Sequence, residues 1–452
     1  MEDTIAAIST PVGEGGIAII RVSGSSALQV ADTVFASRRG KASSFPTHTV
    51  HFGVIRDGSE TLDQVMLTVM RGPRTYSGED TVEINCHGGL LAARRVLALC
   101  LRRGCRLAEP GEFTKRAFLN GRMDLVKAES VIDVIRAKTE RSHAAAVRLL
   151  EGALSRRVNA LREEIVTIIA HVEAHIDFPE EDITPDTRYQ LAAKLDRLLD
   201  EMRRLSATSR EGKILRGGIT VAIVGRPNVG KSSLLNALLG QERAIVTPIA
   251  GTTRDTIEEF VDIGGIPISI TDTAGIRKTP RKIESEGVKR SHKALMQSQI
   301  VIHVIDCSRA FSRVDSEIHS SCAGKKTIVV LSKADKPGRL RLPRSMSGCV
   351  VRTSVISGEG LANLKELIGR HAGSGELGSV EADVTVNERH ADALIRSEKA
   401  LTRAHDELAG GSLLEGVAQE LRSCLDSIGE IVGKTTTDDI LDRIFSQFCI
   451  GK

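Results

Sequence analysis

The chain has no tryptophan, and aromatic side chains make up only 3% of it. That leaves little material for a surface on which single-stranded bases stack. No apolar run approaches the ~20 residues that a membrane span needs. An excess of one charge is missing too: 62 basic residues face 58 acidic ones, so no global field draws the chain to nucleic acid. Cys86, Cys100, Cys105, Cys307, Cys322, Cys349, Cys424 and Cys449 include no C-x-x-C pair, which argues against a zinc site or a disulfide framework and for a reducing compartment. Met1-Glu2-Asp3-Thr4 lacks the basic start of a secretory signal. These absences predict a soluble cytoplasmic protein with no membrane partner. At 452 residues it is too long for one core, and two or three domains are expected.

What is present is Gly225-Arg226-Pro227-Asn228-Val229-Gly230-Lys231-Ser232, which fits G-x-x-x-x-G-K-[ST]. Ile219 to Val224 before it reads as a buried strand, and Ser233 to Leu239 after it as a helix stopped at Gly240. That order aims backbone N–H groups and the positive end of a helix dipole at one anion. Lys231 adds a charge for the β- and γ-phosphates, and Ser232 a hydroxyl for Mg²⁺. A chance glycine turn before a helix is the bland alternative, and it leaves the lysine and the hydroxyl unexplained.

Strands alternate with helices over residues 216–375, which predicts a mostly parallel sheet with its site at the strand C-termini. Ile266 to Thr271 leads into Asp272-Thr273-Ala274-Gly275. An Asp there can hold Mg²⁺ through water, and Gly275 lets its N–H approach the γ-phosphate. Between the two motifs, Thr247-Pro248-Ile249-Ala250-Gly251-Thr252-Thr253-Arg254-Asp255 can close over phosphate and give the metal a second hydroxyl. The strand Thr327 to Leu331 ends in Ser332-Lys333-Ala334-Asp335, and a carboxylate there accepts the guanine N–H edge, which favours GTP over ATP. Val350 to Ser354, with Gly358-Glu359-Gly360, can close the base pocket. The set resembles the translation-factor class of GTPases, whose base loop is N-K-x-D. Ser332 stands where Asn is usual, and the shorter side chain is expected to weaken the brace between base loop and P-loop. Ile276 stands where Ras-like enzymes carry the Gln that orients water. Asn228 offers an amide oxygen through which a monovalent cation would neutralise charge between the β- and γ-phosphates.

The flanks are less explicit. Residues 1–118 read as mixed α/β, with strands over Ile17 to Val22, Val65 to Met70 and Thr81 to Asn85 and a helix over Leu90 to Arg103. Gly13, Gly15 and Gly16 read as a loose turn, Glu79 and Asp80 as solvated turn acids, and His87 as a turn residue. Residues 119–215 read as helical, over Met123 to Lys138, Ala144 to Ala174 and Tyr189 to Leu205. Pro179 breaks the run, and Ser206 to Gly218 reads as a linker. Gly373 to Ser379 reads as an exit linker, and helices return over Asn387 to Leu408 and Leu413 to Val432. Thr435 to Asp439 reads as a capped helix start. Residues 119–215 and 376–452 therefore read as halves of one helical domain, with the nucleotide domain inserted between them.

The P-loop, G-T-T-R-D, D-T-A-G and the Phe448-Cys449-Ile450-Gly451-Lys452 tail, with R-V-S-G, Y-S-G-E-D, P-G-E-F-T-K-R-A-F-L-N and I-D-F-P-E-E, resemble the MnmE (TrmE) family of tRNA-modification GTPases over the whole chain. The resemblance implies a multidomain α/β fold: an N-terminal α+β folate-binding domain, a discontinuous helical domain and an inserted Ras-like P-loop domain. It implies a homodimer formed through the N-terminal domain, which binds 5-formyl- or 5,10-methylene-tetrahydrofolate. The folate positions are Arg21, Glu79 and Arg122, with Lys452 close by; the family often has Lys where Arg122 stands. GTP falls to residues 228–233, 247–253 and 272–275 with Lys333 and Asp335. K⁺ falls to Asn228, Thr247, Ile249 and Thr252, Mg²⁺ to Ser232, Thr253 and Asp272, and the attacking water to Glu284. Lys231 and Asn228 share the catalytic assignment, and Cys449 matches the cysteine needed for modification. With an FAD-containing partner, MnmG (GidA), the family installs an aminomethyl or carboxymethylaminomethyl group on C5 of the wobble uridine of certain tRNAs. A ribosome-assembly switch without covalent chemistry is the alternative, and no RNA-binding motif in the chain favours it. GTP hydrolysis is expected to run faster in K⁺ than in Na⁺, and Asn228→Ala to abolish the difference; equal rates in the two salts would remove the cation's role.

Overall fold

The computed structural model describes residues 3–177, 185–240, 259–272, 295–343, 346, 349–373, 384–411, 413–435 and 437–452, with the backbone alone at 185–187, 259, 271 and 272. Its buried apolar side chains gather mainly in three clusters: one in the N-terminal sheet, one in a helical bundle and one in a parallel sheet. No helix among the described residues is long and apolar enough to cross a membrane.

The N-terminal unit comprises β1 (Ile5–Ile8), β2 (Gly15–Ser23), α1 (Ala27–Val34), β3 (Phe35–Ala36), β4 (Thr49–Asp57), β5 (Glu60–Met70), β6 (Thr81–Gly88), α2 (Leu90–Arg102) and β7 (Arg106–Leu107). Its sheet runs β3-β4-β5-β6-β2-β1-β7. Alternation sets the faces. Ile20, Val22, Leu67, Val69, Val82 and Ile84 point into a core shared with α1 and α2. On the other face Ile17, Phe52 and Met66 are 63%, 63% and 45% exposed, and Phe52 pairs in register with Met66. The β4–β5 hairpin turns through Gly58 and Ser59, with Gly58 at φ +62°, the left-handed geometry a two-residue hairpin requires. His87, read as a turn residue, lies instead in β6, where its Nδ1 is 2.6 Å from Asp63 Oδ1. Gly15 and Gly16, read as a loose turn, already belong to β2.

After α3 (Glu112–Leu119), whose Phe113 packs with Ile5 and Ala7 of the N-terminal unit, the helical unit begins with α4 (Leu125–Arg136), α5 (Glu140–Leu150), α6 (Ala153–Asp177), α7 (Pro185–Ala207) and α8 (Ser209–Gly217). The single run expected over Ala144 to Ala174 is two helices, broken at Gly152 with φ +86°. The proline break at Pro179 lies outside the described residues. The stretch read as a linker, Ser206 to Gly218, is mostly α8. Burial of Ile214 and Leu215 holds it helical despite its polar composition, and Gly218 at φ +72° ends it.

The chain then enters β8 (Ile219–Val224), α9 (Lys231–Leu239), β9 (Glu259–Ile263), β10 (Ile266–Asp272), β11 (Ile300–Asp306), α10 (Arg313–Ser321), β12 (Lys326–Ser332), β13 (Cys349–Arg352) and α11 (Leu361–Ala372). The sheet order is β13-β12-β11-β8-β10-β9, parallel except for β9. The order reverses beside β8, and a ligand site forms at such a reversal. The residues read as an exit linker lie, from Ser374 on, outside the described ones.

Three helices complete the bundle: α12 (Glu388–Ala409), α13 (Leu414–Val432) and α14 (Asp438–Phe445). Asn387 caps α12, its Oδ1 accepting from His390 N at 2.8 Å. The side-chain cap expected for α14 does not form: Thr437 occupies the cap position without such a bond. Buried Leu401, Leu421, Leu195 and Ile165 bring α12, α13, α7 and α6 into one core. Where the nucleotide unit joins this bundle, its entry and exit cross. Arg216 Nη2 donates to Val386 O at 2.8 Å, and Val386 N donates to Thr208 Oγ1 at 3.2 Å.

Beside the crossing sits Glu129 of α4. Its carboxylate accepts from Arg389 Nε at 2.7 Å and Asn387 Nδ2 at 2.8 Å, and lies 2.8 Å from His390 Nε2. Burial opposes its charge, yet His390 and Arg389 outweigh burial and hold the carboxyl down to about 2. Glu129→Ala is expected to cost about 3–5 kcal/mol of folding stability, since it leaves Arg389 and His390 without their carboxylate. The wild-type contribution is complete above the ordinary carboxyl pKa of 4.5 and is lost as pH falls from there towards about 2. A urea midpoint unchanged by the substitution at neutral pH would contradict this.

Candidate functional site

The loop between β8 and α9 is shaped by residues with positive φ. Gly225 (φ +149°) approaches β11 so closely that a Cβ would sit 2.4 Å from Val304 O. Asn228 (φ +63°) and Gly230 (φ +99°) turn the backbone, while Val229 is buried as an anchor. Such turns bring successive N–H groups to one side and favour an anion there. Lys231 is buried, its Nζ donating to Gly225 O at 2.9 Å and Arg226 O at 2.7 Å. Arg226 Nε lies 2.9 Å from Asp315 Oδ1, a buried carboxylate in α10 that also completes the Ser312 capping box. Ser233, Asn236 and Ala237 line an open groove of about 640 Å³ whose far wall is Val355 to Gly358.

Under this loop lies the end of β12. Ser332 Oγ donates to Val229 O at 2.6 Å, with Ile305 O at 3.2 Å. The brace expected to weaken without Asn is therefore made directly by the shorter hydroxyl, because the P-loop carbonyl of Val229 comes within its reach at the end of β12. Lys333 (φ +58°) adds a second tie, its Nζ donating to Asn228 O at 2.9 Å and Asp306 Oδ2 at 2.7 Å. Burial raises the Asp306 carboxyl, but Lys333 and Ser308 outweigh it and hold it low. Asp335 accepts from Ser354 Oγ at 2.7 Å, and that bond above all holds its carboxyl below the usual range. Sequence reasoning missed Asp306; an acid ending an otherwise apolar strand was the available signal.

A second cluster forms where the C-terminal tail meets the N-terminal sheet. Gly111 N donates to Cys449 O at 3.3 Å, Phe113 N to Lys452 O at 3.2 Å and Ser9 Oγ to Gly451 O at 3.0 Å. Gly451 (φ +98°) packs so that a Cβ would lie 2.4 Å from Ile8 O. Phe445 and Phe448 hold the tail against Leu125, Ala128 and Ile132. Cys449 is exposed. Burial, then the nearby Arg21, push the Lys452 ammonium below its ordinary pKa.

Two family models match the chain: "GTP-binding protein TrmE N-terminus" over residues 4–122 and "MnmE helical domain" over residues 125–449. The tRNA modification GTPase MnmE of Clostridioides difficile is 45% identical over 457 residues, covering 100% of both chains. The chain belongs to the MnmE family of tRNA modification GTPases. The Geotalea uraniireducens MnmE is 46% identical over 459 residues with 100% of both chains covered, and the Lactococcus lactis subsp. cremoris MnmE is 45% identical over 451 residues, covering 100% of this chain and 98% of that one. A crystal structure of an Era variant from Aquifex aeolicus is 29% identical, covers 40% of this chain and 66% of that one, and has a TM-score of 0.27, too partial a likeness to build on. The protein is thus a GTP hydrolase acting in tRNA modification.

Arg21 pairs with Glu83 at 2.8 Å, not with Glu79, and its guanidinium lies 5.5 Å from the ring centroids of Tyr76 and Phe113. Glu79, read from spacing as a solvated turn acid, accepts from Ser23 Oγ at 2.8 Å and from the fully buried Arg116 at 3.1 Å. Arg122 Nε donates to Thr75 O at 3.1 Å and its side chain packs on Gly78. Arg116 and Glu83 were not foreseen, since each reads as a solvated charge. In the nucleotide unit the backbone of Asp272 pairs with Ile223, beside the P-loop. Thr247, Pro248, Ile249, Ala250, Gly251, Thr252, Thr253, Thr273, Ala274, Gly275 and Glu284 lie outside the described residues. Ser354→Ala is expected to weaken GTP binding about tenfold by releasing Asp335; an unchanged dissociation constant would show that Ser354 does not position that carboxylate.

Proposed function

We propose that this chain, with an FAD-containing MnmG partner, adds an aminomethyl or carboxymethylaminomethyl group to C5 of the wobble uridine of certain tRNAs, taking its carbon from 5-formyl- or 5,10-methylene-tetrahydrofolate. Residues 1–118 bind folate and dimerise, 119–215 and 376–452 form the helical domain, and 216–375 bind GTP. The exposed β2–β4–β5 face, with Ile17, Phe52 and Met66, supports a second copy as the dimer partner. Arg21, Arg122 and Lys452 supply positive charge for the folate carboxylates, and Glu79 faces a pterin N–H edge. The P-loop binds GTP through residues 228–233, with Lys231 on the phosphates. Asn228, Thr247, Ile249 and Thr252 would hold K⁺; Ser232, Thr253 and, through water, Asp272 would hold Mg²⁺; Glu284 would orient the water. With GTP and K⁺ held by these residues, the two nucleotide domains of the dimer would close on each other, and the helical domain would carry the movement to the tail.

The observation that carries this reading is the tail itself. It presents an exposed thiol within three residues of Lys452, whose ammonium shares the Arg21 neighbourhood. Cys449→Ser is expected to keep GTP turnover at the wild-type rate while wobble-uridine modification, measured by mass spectrometry of digested tRNA, is lost. Modification at the wild-type level would end the proposed role of Cys449.

A further inference from the structure

Guanine offers two acceptors, N7 and O6, on the edge opposite its sugar-adjacent face, and only donors can read them. A serine hydroxyl carries one proton. The Ser332 hydroxyl is 5% exposed as a residue, and both of its close partners, Val229 O at 2.6 Å and Ile305 O at 3.2 Å, are carbonyls that can only accept. Its single proton is therefore committed to the P-loop. An asparagine amide in its place has two N–H donors and can serve a carbonyl and a base acceptor together. The neighbouring backbone donor, Ala334 N, is also engaged, donating to Thr353 O at 3.1 Å. Lys333 spends its ammonium on Asn228 O and Asp306.

We propose that Ser332 braces the P-loop without reading the base, so that this nucleotide site is indifferent to N7 of guanine and selects its base through the Asp335 carboxylate. The inference rests on residues 332–335 forming the base loop. The loop keeps its shape because the hydroxyl, the Lys333 ammonium and the Ser354 hydroxyl each hold a separate part of it. Recognition by Asp335 uses guanine N–H groups, which a carboxylate accepts and which loss of N7 leaves intact.

The test is competition binding of GTP and 7-deaza-GTP, in which a C–H replaces N7. Wild type is expected to bind the two within about twofold. Ser332→Ala, which removes the brace, is expected to weaken both by the same factor, about tenfold. Wild-type binding of 7-deaza-GTP weaker by fivefold or more, or a Ser332→Ala loss confined to GTP, would overturn the proposal. Asp335→Asn separates this from the base-loop assignment: a swing from guanine towards xanthine nucleotides supports that assignment whatever the N7 result, and no change in base preference overturns it.

Discussion

The crossing of two chain segments at Gly212 and Val386 is the constraint on which the architecture depends. Helix α8 brings the chain into the nucleotide unit, and the segment before α12 takes it out again. A Cβ on Gly212 would lie 2.3 Å from Val386 O, so the backbones touch. Arg216 and Thr208 bond to Val386 on either side of the contact. A unit tied at this waist, and beside it by Thr139 Oγ1 donating to Gly265 O at 2.9 Å, can be inserted without disturbing the bundle, whose core joins α6 and α7 from before the insertion to α12 and α13 from after it. The Glu129 cluster lies next to the waist and links α4 to α12 and to the last carbonyls of α13 through Arg389. From α4 the apolar contacts run on to Phe445 and Phe448, and so to the tail.

The nucleotide loop shows the same economy of anchoring. Each part of it that must hold still is tied from below: Arg226 to Asp315, Val229 to Ser332, Asn228 to Lys333 and Asp306. Buried ion pairs contribute little net stability against a well-packed apolar alternative, but they fix geometry. The thread from loop to waist is short, since β8 alone separates Gly225 from Gly218 and the end of α8.

Much of this was legible in the residues. The glycine loop between an apolar run and a helix forms as read, and the runs Ile219 to Val224, Ile266 to Thr271 and Thr327 to Leu331 are strands of the sheet, whereas β9 and β11 were not singled out. The helices from Leu125 and Glu388 carry their own periodicity and caps. Other features depend on tertiary neighbours that no local pattern contains. Residues 206–218 look like a linker because their polar residues outnumber the three, Gly212, Ile214 and Leu215, that bury. Arg116 looks like a surface charge until Asp3, Glu79 and Glu112 surround it. Ser332 looks like a defect when set against an asparagine. It becomes a brace only because Val229 O, in the buried turn of the P-loop, lies 2.6 Å away.

If the waist carries the signal, prying it apart should separate GTP turnover from what happens at the tail. Gly212→Ala forces a methyl group into Val386 O while leaving both clusters of polar residues in place. Wobble-uridine modification and GTP hydrolysis measured side by side on this variant test that connection most directly. The account predicts hydrolysis within about twofold of wild type and modification reduced at least tenfold. Full modification by a folded Gly212→Ala protein would mean that the nucleotide unit does not act through the crossing at all.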